Sequence, residues 1–471
     1  MIGGQVDIDS QAVIHFIGIK GTGMSSLARL CSRLGYRITG SDIPDRFYTD
    51  EILDRESITV FSGFSARHIP DACSLVISSS VYRERSNVEV NEALRRGIRL
   101  LDYSSALAEF SSHMRTIAVA GTHGKSSICS MIEHLMESAP AHTCSVYGSA
   151  LLKQESSSGK SGPPSILCIE ACEYQKHLLG YHPEVAVLSN IAYEHPDVFS
   201  STEELINLFT DFVMQVKPEG TLIYCADDPH AEDVALEIRS QRPDIRLIGY
   251  GKRATGPYRT SGVETGAGVT RFKLGSAEFG FHIPGEHMVL NMAAASAAVG
   301  AVGFPDLITS DRVSRYPGLI RRSELMGRSS GVTVVDDYAH HPDEISVTIE
   351  ALQNFYQPKR IILDFVPHTI SRTRILFDQF TQALQADLVF IHPVYLSARE
   401  QAAGTSAAVK LSRELSDRVE KAVFVESDRE AVRRATELLT EGDLFVTMGA
   451  GNNRAIGKRV LQALAGVKTD D

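Results

Sequence analysis

Apolar and polar positions along the chain fall into three similar stretches. The first opens with AVIHFIGI, Ala12–Ile19, an almost unbroken apolar run of strand length. A glycine turn follows, then MSSLARLCSRLG with its apolar residues at helical spacing, then the short strand-like runs YRITGSD and CSLVISSS. Strand, glycine turn, helix and strand in that order predict a parallel doubly wound unit. The pattern restarts near LLDYSSALAEFSSHMR. A second block carries strand TIAVAG, a helix after Lys125, strands SILCIEA and VAVLSNI, and an Ala-rich helix near residue 295. A third begins around RYPGLIRRSE and alternates again: VTVVDDY, PDEISVTIEALQNF, RIILDFVP, LFDQFTQALQ, DLVFIHP, KAVFVES, REAVRRATELL, DLFVTMGAG. The turn-rich segment QESSSGKSGPPS reads as an exposed loop. The expected organisation is an α/β chain of three domains, 1–110, 111–315 and 316–471.

Length and composition agree with this division. A chain of 471 residues exceeds one ordinary core, and 43% apolar with 22% charged residues is globular. The formal charge of −11 disfavours nucleic acid as a partner but leaves small anions possible, since backbone N–H groups and local cations bind them. Seven cysteines, odd in number and without a C-x-x-C pair, point to reduced thiols and a cytoplasmic setting. The start lacks a signal-peptide pattern. The longest apolar stretch, VLNMAAASAAVGAVGF, is Ala/Gly-rich and reads as a packed helix, so no membrane insertion is expected.

Two glycine loops carry the candidate chemistry. The first, GIKGTGMSS, contains G-x-G-x-x-S, with Asp42 about 20 residues on. Gly21 and Gly23 would let the backbone approach a pyrophosphate at a helix N-terminus. An NAD-type site, another nucleotide diphosphate and a structural turn all remain open for it. The second is AGTHGKSS. The pattern G-x-x-x-x-G-K-[ST] would place glycine at 119, where this chain has Val119. Thr122, Gly124 and the following amides could still cup phosphate oxygens, with Lys125 on the terminal phosphates and Ser126 on Mg²⁺. Glu170 and His195 end predicted strands, the edge at which parallel sheets bind ligands, and together make a candidate cation site.

Nine segments, HFIGIKGTGMSSLA, AVAGTHGKSS, IEACEYQ, LSNIAYEHPD, PGEHMVLNMAAA, RRSELMG, VVDDYAHHPDEI, VPHTISRTRILF and MGAGN, resemble the Mur ligases in order and spacing over essentially the whole chain. The compressed loop G-T-x-G-K-[ST] is that family's ATP loop. The resemblance implies a Rossmann-like N-terminal UDP-binding domain, a central P-loop-type ATPase domain and a C-terminal Rossmann-like domain. It implies ATP-dependent joining of L-alanine to UDP-N-acetylmuramate through an acyl phosphate, with no nucleic acid partner. It assigns Gly121, Thr122, His123, Gly124, Lys125, Ser126, Ser127 and Asn291 to ATP. Ser126 and Glu170 go to one magnesium, and His195 to a second near the reacting carboxylate. Arg322 is implied at the γ-phosphate and Asp337 at the ribose. Gly21, Thr22, Gly23, Met24, Ser41, Asp42, Ser78 and Ser79 would bind the UDP moiety, and Tyr338, His340 and Arg372 the amino acid.

Three departures qualify the match. Met288 replaces the first Asn of H-N-x-x-N, Thr369 stands where many relatives have Arg, and STEELINLFTDFV offers no lysine for carbamylation. VPHTISRTR favours the alanine-adding branch over the branch that recycles a tripeptide. An NAD-dependent oxidoreductase would leave the second loop without a role, and intact Lys125, Glu170 and His195 argue against a silent binding protein.

Overall fold

The computed structural model describes residues 12–82, 86–148, 163–192, 198–199, 201–396, 405–449 and 451–466. Most of the segment 154–165 expected as a loop lies outside them, as does His195. The first sheet comprises β1 (Val13–Ile17), β2 (Arg37–Asp42), β3 (Thr59–Ser62), β4 (Cys73–Ser78) and β5 (Arg99–Asp102). All pairs are parallel in the order β3-β2-β1-β4-β5. Helices α1 (Thr22–Arg33), α2 (Tyr48–Arg55) and α3 (Val88–Arg95) belong to this unit, and α4 (Tyr103–Ser112) leads out of it. The order reverses at β1, so the crevice for a ligand opens where β1, β2 and β4 end.

The second sheet comprises β6 (Arg115–Ala120), β7 (Thr143–Val146), β8 (Ile166–Glu170), β9 (Val185–Leu188), β10 (Thr221–Cys225) and β11 (Arg246–Tyr250). It is parallel in the order β11-β10-β9-β6-β8-β7. Helices α5 (Lys125–Leu135), α6 (Thr202–Met214) and α7 (Pro229–Gln241) connect it. The Ala-rich helix is α8 (Glu286–Ala301), apolar all round and buried accordingly. No described helix is long and apolar enough to cross a membrane.

A three-stranded antiparallel sheet, β12 (Thr260–Gly266), β13 (Val269–Leu274) and β14 (Ala277–Phe281), precedes α8 and was not expected. Its alternation is short and interrupted by Gly262, Gly266, Gly268 and Gly275, which masks a period of two. Phe272 packs edge-on against Phe281 at 5.3 Å, and both join the core beneath α8.

The third sheet, β15 (Glu324–Ser329), β16 (Val332–Asp337), β17 (Ile361–Val366), β18 (Leu388–Ile391), β19 (Ala422–Phe424) and β20 (Leu444–Gly449), runs β15-β16-β20-β17-β18-β19. It is parallel except for the edge strand β15, which pairs antiparallel with β16. Short α9 (Ser310–Ser314) precedes it; α10 (Pro342–Tyr356), α11 (Ile370–Ile375), α12 (Phe377–Ala383), α13 (Thr405–Arg418), α14 (Asp428–Leu438) and α15 (Arg454–Leu464) surround it. Apolar side chains of the first two sheets form one continuous cluster, from Ile14 and Phe16 to Phe209 and Phe212, whereas the third sheet has cores of its own. All seven cysteines are free thiols, and all but Cys172 are buried.

Candidate active site

Strand β6 runs apolar and buried to Ala120, and the chain then turns within four residues into α5. Two glycines make that turn possible: Gly121 has φ +123° and Gly124, capping α5, has φ +85°. A Cβ on Gly124 would lie 2.6 Å from Oδ1 of Asn291, so this glycine also lets α8 approach the loop. The loop is tied to the end of β9. Thr122 N–H donates to the Asn190 carbonyl (2.9 Å), His123 N–H to Asn190 Oδ1 (2.9 Å), and Ser189 Oγ to the His123 carbonyl (2.6 Å).

Lys125 is buried, its ammonium donating to the carbonyls of Gly121 (2.6 Å) and Thr122 (2.9 Å). It also meets both oxygens of buried Glu173 at 3.0 and 3.3 Å. Glu173 went unnoticed in the sequence, although it is the second acid of IEACEYQ. Next to Lys125, Ser126 Oγ donates to Glu170 Oε2 at 2.8 Å, and the Gly148 N–H donates to the same oxygen at 2.9 Å. One hydroxyl and one carboxylate beside a phosphate-type loop suit magnesium, which keeps waters and takes few protein oxygens. Among the described residues no three His, Cys, Asp or Glu side chains converge on a cation. Asn291 turns its Nδ2 toward the sulfur of Met288 at 3.6 Å, so the departure at 288 leaves a thioether where an amide was expected.

The third domain closes on this loop. His123 Nδ1 lies 3.3 Å from Glu344 Oε1 on α10, while the His340 N–H donates to Glu344 Oε2 at 3.2 Å. Burial opposes the Glu344 charge, but the hydrogen bond from His123 and the neighbouring His340 and Arg322 hold its carboxyl well below the ordinary value. Arg322 is presented between two non-glycine residues at positive φ, Arg321 (+62°) and Ser323 (+47°). Arg321 donates to Asp336 (3.2 Å) and to the Gly451 carbonyl (2.8 Å), anchoring that turn to the sheet. Asp337 accepts the N–H groups of Ser323 (2.6 Å) and Ala339 (2.7 Å), and burial raises its carboxyl despite them and Arg322. The carboxylate therefore shapes the turn that presents Arg322.

Past β16 and β17 the chain assembles a second group. The Tyr338 and His340 rings meet edge-on at 5.0 Å, and His340 meets His368 at 5.4 Å. His340 Nδ1 donates to the Tyr338 carbonyl (3.0 Å), which leaves the Nε2 lone pair as an acceptor. Burial pushes this histidine down to about 4, with Glu344 opposing and the Arg372 and Arg322 cations contributing, so it is neutral near pH 7. Thr369, at φ +63°, caps α11 by accepting the Arg372 N–H at 3.4 Å. Arg372 is half-buried and close enough to His340 for its charge to act there, whereas Arg374 is exposed in the last turn of α11. His368 was missed, although it stands within VPHTISRTR.

In the first domain the expected residues gather where β1, β2 and β4 end, in mixed roles. Asp42 accepts the N–H groups of Lys20 (2.7 Å) and Ile43 (2.8 Å) and is raised by burial. It thus fixes the glycine loop. Ser41 is fully buried, 3.1 Å from His68 Nδ1, and Ser78 Oγ bonds the Ser79 carbonyl at 3.2 Å. Tyr103 of α4 packs on Gly23, its Cζ 2.9 Å from where a Cβ would lie, so this glycine also lets α4 approach α1. Gly21 has no such neighbour and, with Thr22 and Met24, starts α1.

Family models match three successive parts of the chain: the Mur ligase family catalytic domain over residues 13–115, the Mur ligase middle domain over 119–299, and the Mur ligase glutamate ligase domain over 321–451. The chain belongs to the Mur ligase family. A UDP-N-acetylmuramate–L-alanine ligase from Treponema pallidum (strain Nichols) is 36% identical over 457 residues, covering 94% of this chain and 95% of the relative. The ligase of the same name from Borreliella burgdorferi is 34% identical, covering 95% and 98%. The crystal structure of a UDP-N-acetylmuramate-alanine ligase from Thermotoga maritima shares the fold with a TM-score of 0.77 at 21% identity, covering 97% of this chain and 99% of that one.

Proposed function

We propose that this Mur ligase joins L-alanine to the lactyl carboxylate of UDP-N-acetylmuramate at the expense of ATP, in the cytoplasmic synthesis of peptidoglycan precursors. The observation that carries the proposal is the meeting of the Lys125 loop with Glu344, His340 and Arg322 across the boundary between the second and third domains. Full-length likeness to relatives of that name supports the substrates. A Thermotoga maritima ligase of this fold, at 17% identity, has been solved with ADP. We keep the division 1–110, 111–315 and 316–471 for UDP-sugar, nucleotide and amino acid.

A carboxylate resists attack by an amine until one of its oxygens becomes a leaving group. In this mechanism a lactyl carboxylate oxygen attacks the γ-phosphorus, the bond to the β-phosphate oxygen breaks, and ADP leaves an acyl phosphate. The neutral amine of alanine then attacks the acyl carbon, inorganic phosphate departs, and the amine loses its proton. Lys125 and Arg322 face the charge that moves during phosphoryl transfer, and the loop amides after Gly124 bind phosphate oxygens. Ser126 and Glu170 would hold magnesium, with His195 expected at a second ion; the metal supplies neutralisation of the phosphate charge. Arg372 offers two parallel donors to the alanine carboxylate. Neutral His340 keeps positive charge away from the amine and presents its Nε2 lone pair as an acceptor.

The test is phosphate release with UDP-N-acetylmuramate, ATP and each amino acid in turn, and with the L-alanyl-γ-D-glutamyl-diaminopimelate tripeptide. Turnover with alanine is expected. Turnover with the tripeptide alone would move the protein to the recycling branch.

A further inference from the structure

Two turns beyond each phosphate loop, the first and second domains are joined by a buried ion pair. Arg29 is seven residues past Thr22 on α1, and Glu133 eight past Lys125 on α5, so each sits roughly 10–12 Å behind its loop. Arg29 Nη2 lies 3.4 Å from Glu133 Oε1 and donates to the Ser145 carbonyl at 2.8 Å. Ser145 belongs to β7, the edge of the second sheet, whose outer carbonyls would otherwise lack partners. The other Glu133 oxygen accepts the Tyr147 hydroxyl at 2.8 Å, and the Tyr147 carbonyl accepts Ser26 Oγ of α1 at 3.2 Å. The residue after Tyr147 is Gly148, whose N–H holds Glu170. Arg29, Ser26, Glu133, Ser145 and Tyr147 are all buried.

We propose that Arg29, with Glu133 and Tyr147, is a positioning group that fixes the UDP-sugar loop on the ATP loop and holds Gly148 against the magnesium carboxylate Glu170. Two anions must meet in this reaction, and the distance between their loops is set where α1 and α5 are pinned together. A buried pair is a poor device for stability alone, since desolvation offsets its attraction, and Arg29 Nε has no hydrogen-bond partner among the described residues. What it secures is one relative placement of the two helices. Because β7 leads directly to Gly148, the same clamp reaches the metal site.

The inference rests on the proposed ligase reaction, and the wild-type assay tests that separately: a wild-type protein without ligase turnover refutes the reaction. Removing both charges together, in Arg29→Met/Glu133→Met, avoids stranding either one. This folded double variant should lose at least tenfold in kcat and need several-fold more Mg²⁺ for half-maximal turnover, with KM for ATP and for UDP-N-acetylmuramate within about threefold of wild type. Tyr147→Phe, which removes only a hydroxyl, should shift the Mg²⁺ requirement the same way by less. Either variant, folded by thermal melt and indistinguishable from wild type in kcat and Mg²⁺ response, overturns the proposal. So does activity that falls only in proportion to the folded fraction. If the double variant does not fold, Tyr147→Phe alone decides.

Discussion

Replacing Lys125 by methionine should damage two properties by separable amounts. The first is catalysis, because the proposed mechanism sets the ammonium against the charge redistributed as the γ-phosphoryl group moves. The second is stability, because Glu173 is buried and Lys125 is its charge partner at 3.0 Å. Breaking a buried pair from one side costs about 3–5 kcal/mol, since the remaining charge is left uncompensated. For a domain of about 200 residues that corresponds to roughly 6–20 °C in Tm. Lys125→Met/Glu173→Gln removes both charges and should recover most of that loss while remaining inactive. The assay is thermal unfolding of wild type and the two variants without nucleotide, beside phosphate release at saturating substrates. A single variant that melts with wild type would show that Glu173 does not depend on Lys125. A folded variant with near-normal turnover would show that this loop does not serve ATP.

Gly124→Ala forces a Cβ into a left-handed position, about 1–2 kcal/mol in itself, and to within 2.6 Å of Asn291 Oδ1; KM for ATP should rise at least tenfold while KM for alanine stays near wild type. Burial holds His287 and His340 down to about 4, so between pH 6.5 and 4 the unfolded chain binds protons that the folded one does not. The contribution of each histidine to stability should therefore fall as pH is lowered across that window, by up to about 1.4 kcal/mol per unit, against the opposite contribution of Asp336, which burial raises to about 7; a urea-denaturation series of His340→Gln against wild type should isolate the His340 part. Asp42→Asn, which weakens the hold on the Lys20 and Ile43 N–H groups, should loosen UDP-sugar binding about 5- to 150-fold by calorimetry, the effect of about 1–3 kcal/mol; unchanged affinity would detach this loop from the ligand. Arg372→Ala should raise KM for alanine strongly with little change for ATP, and an unchanged value removes it from the pocket.

The elements legible in the sequence were those whose pattern is local. Parallel strands buried on both faces, such as Ile361–Val366, read as continuous apolar runs, and their helices show apolar residues at helical spacing. The strands of the small antiparallel sheet were lost among glycines, and β15 carries too few apolar residues to announce itself. At the site, Lys125, Ser126 and Glu170 stood out because loop and strand end place them independently of the rest of the chain. Glu173, Glu344 and His368 did not, because each acquires meaning from a partner far away in sequence. Glu173 is 48 residues from Lys125, and Glu344 meets His123 only when the third domain is in place. Asp42 shows the reverse case, in which a motif position is filled as expected and its side chain also holds the loop itself.

Val119 shows why the shorter loop works. In the longer pattern a glycine at this position would open the turn. Here β6 continues through Ala120, with Val119 fully buried and opposite Glu170 in the parallel register. A glycine there would remove a core side chain and gain no turn, since the chain does not leave the sheet until Gly121. The reversal is confined to Gly121–Gly124, and both bounding glycines adopt positive φ. Holding a loop that short open falls to its surroundings, through the bonds of Thr122 and His123 to Asn190 and of Ser189 to His123. The same register that buries Val119 sets Glu170 beside the loop, within reach of Ser126. Strand pairing, more than glycine count, thus places the carboxylate beside the glycine loop.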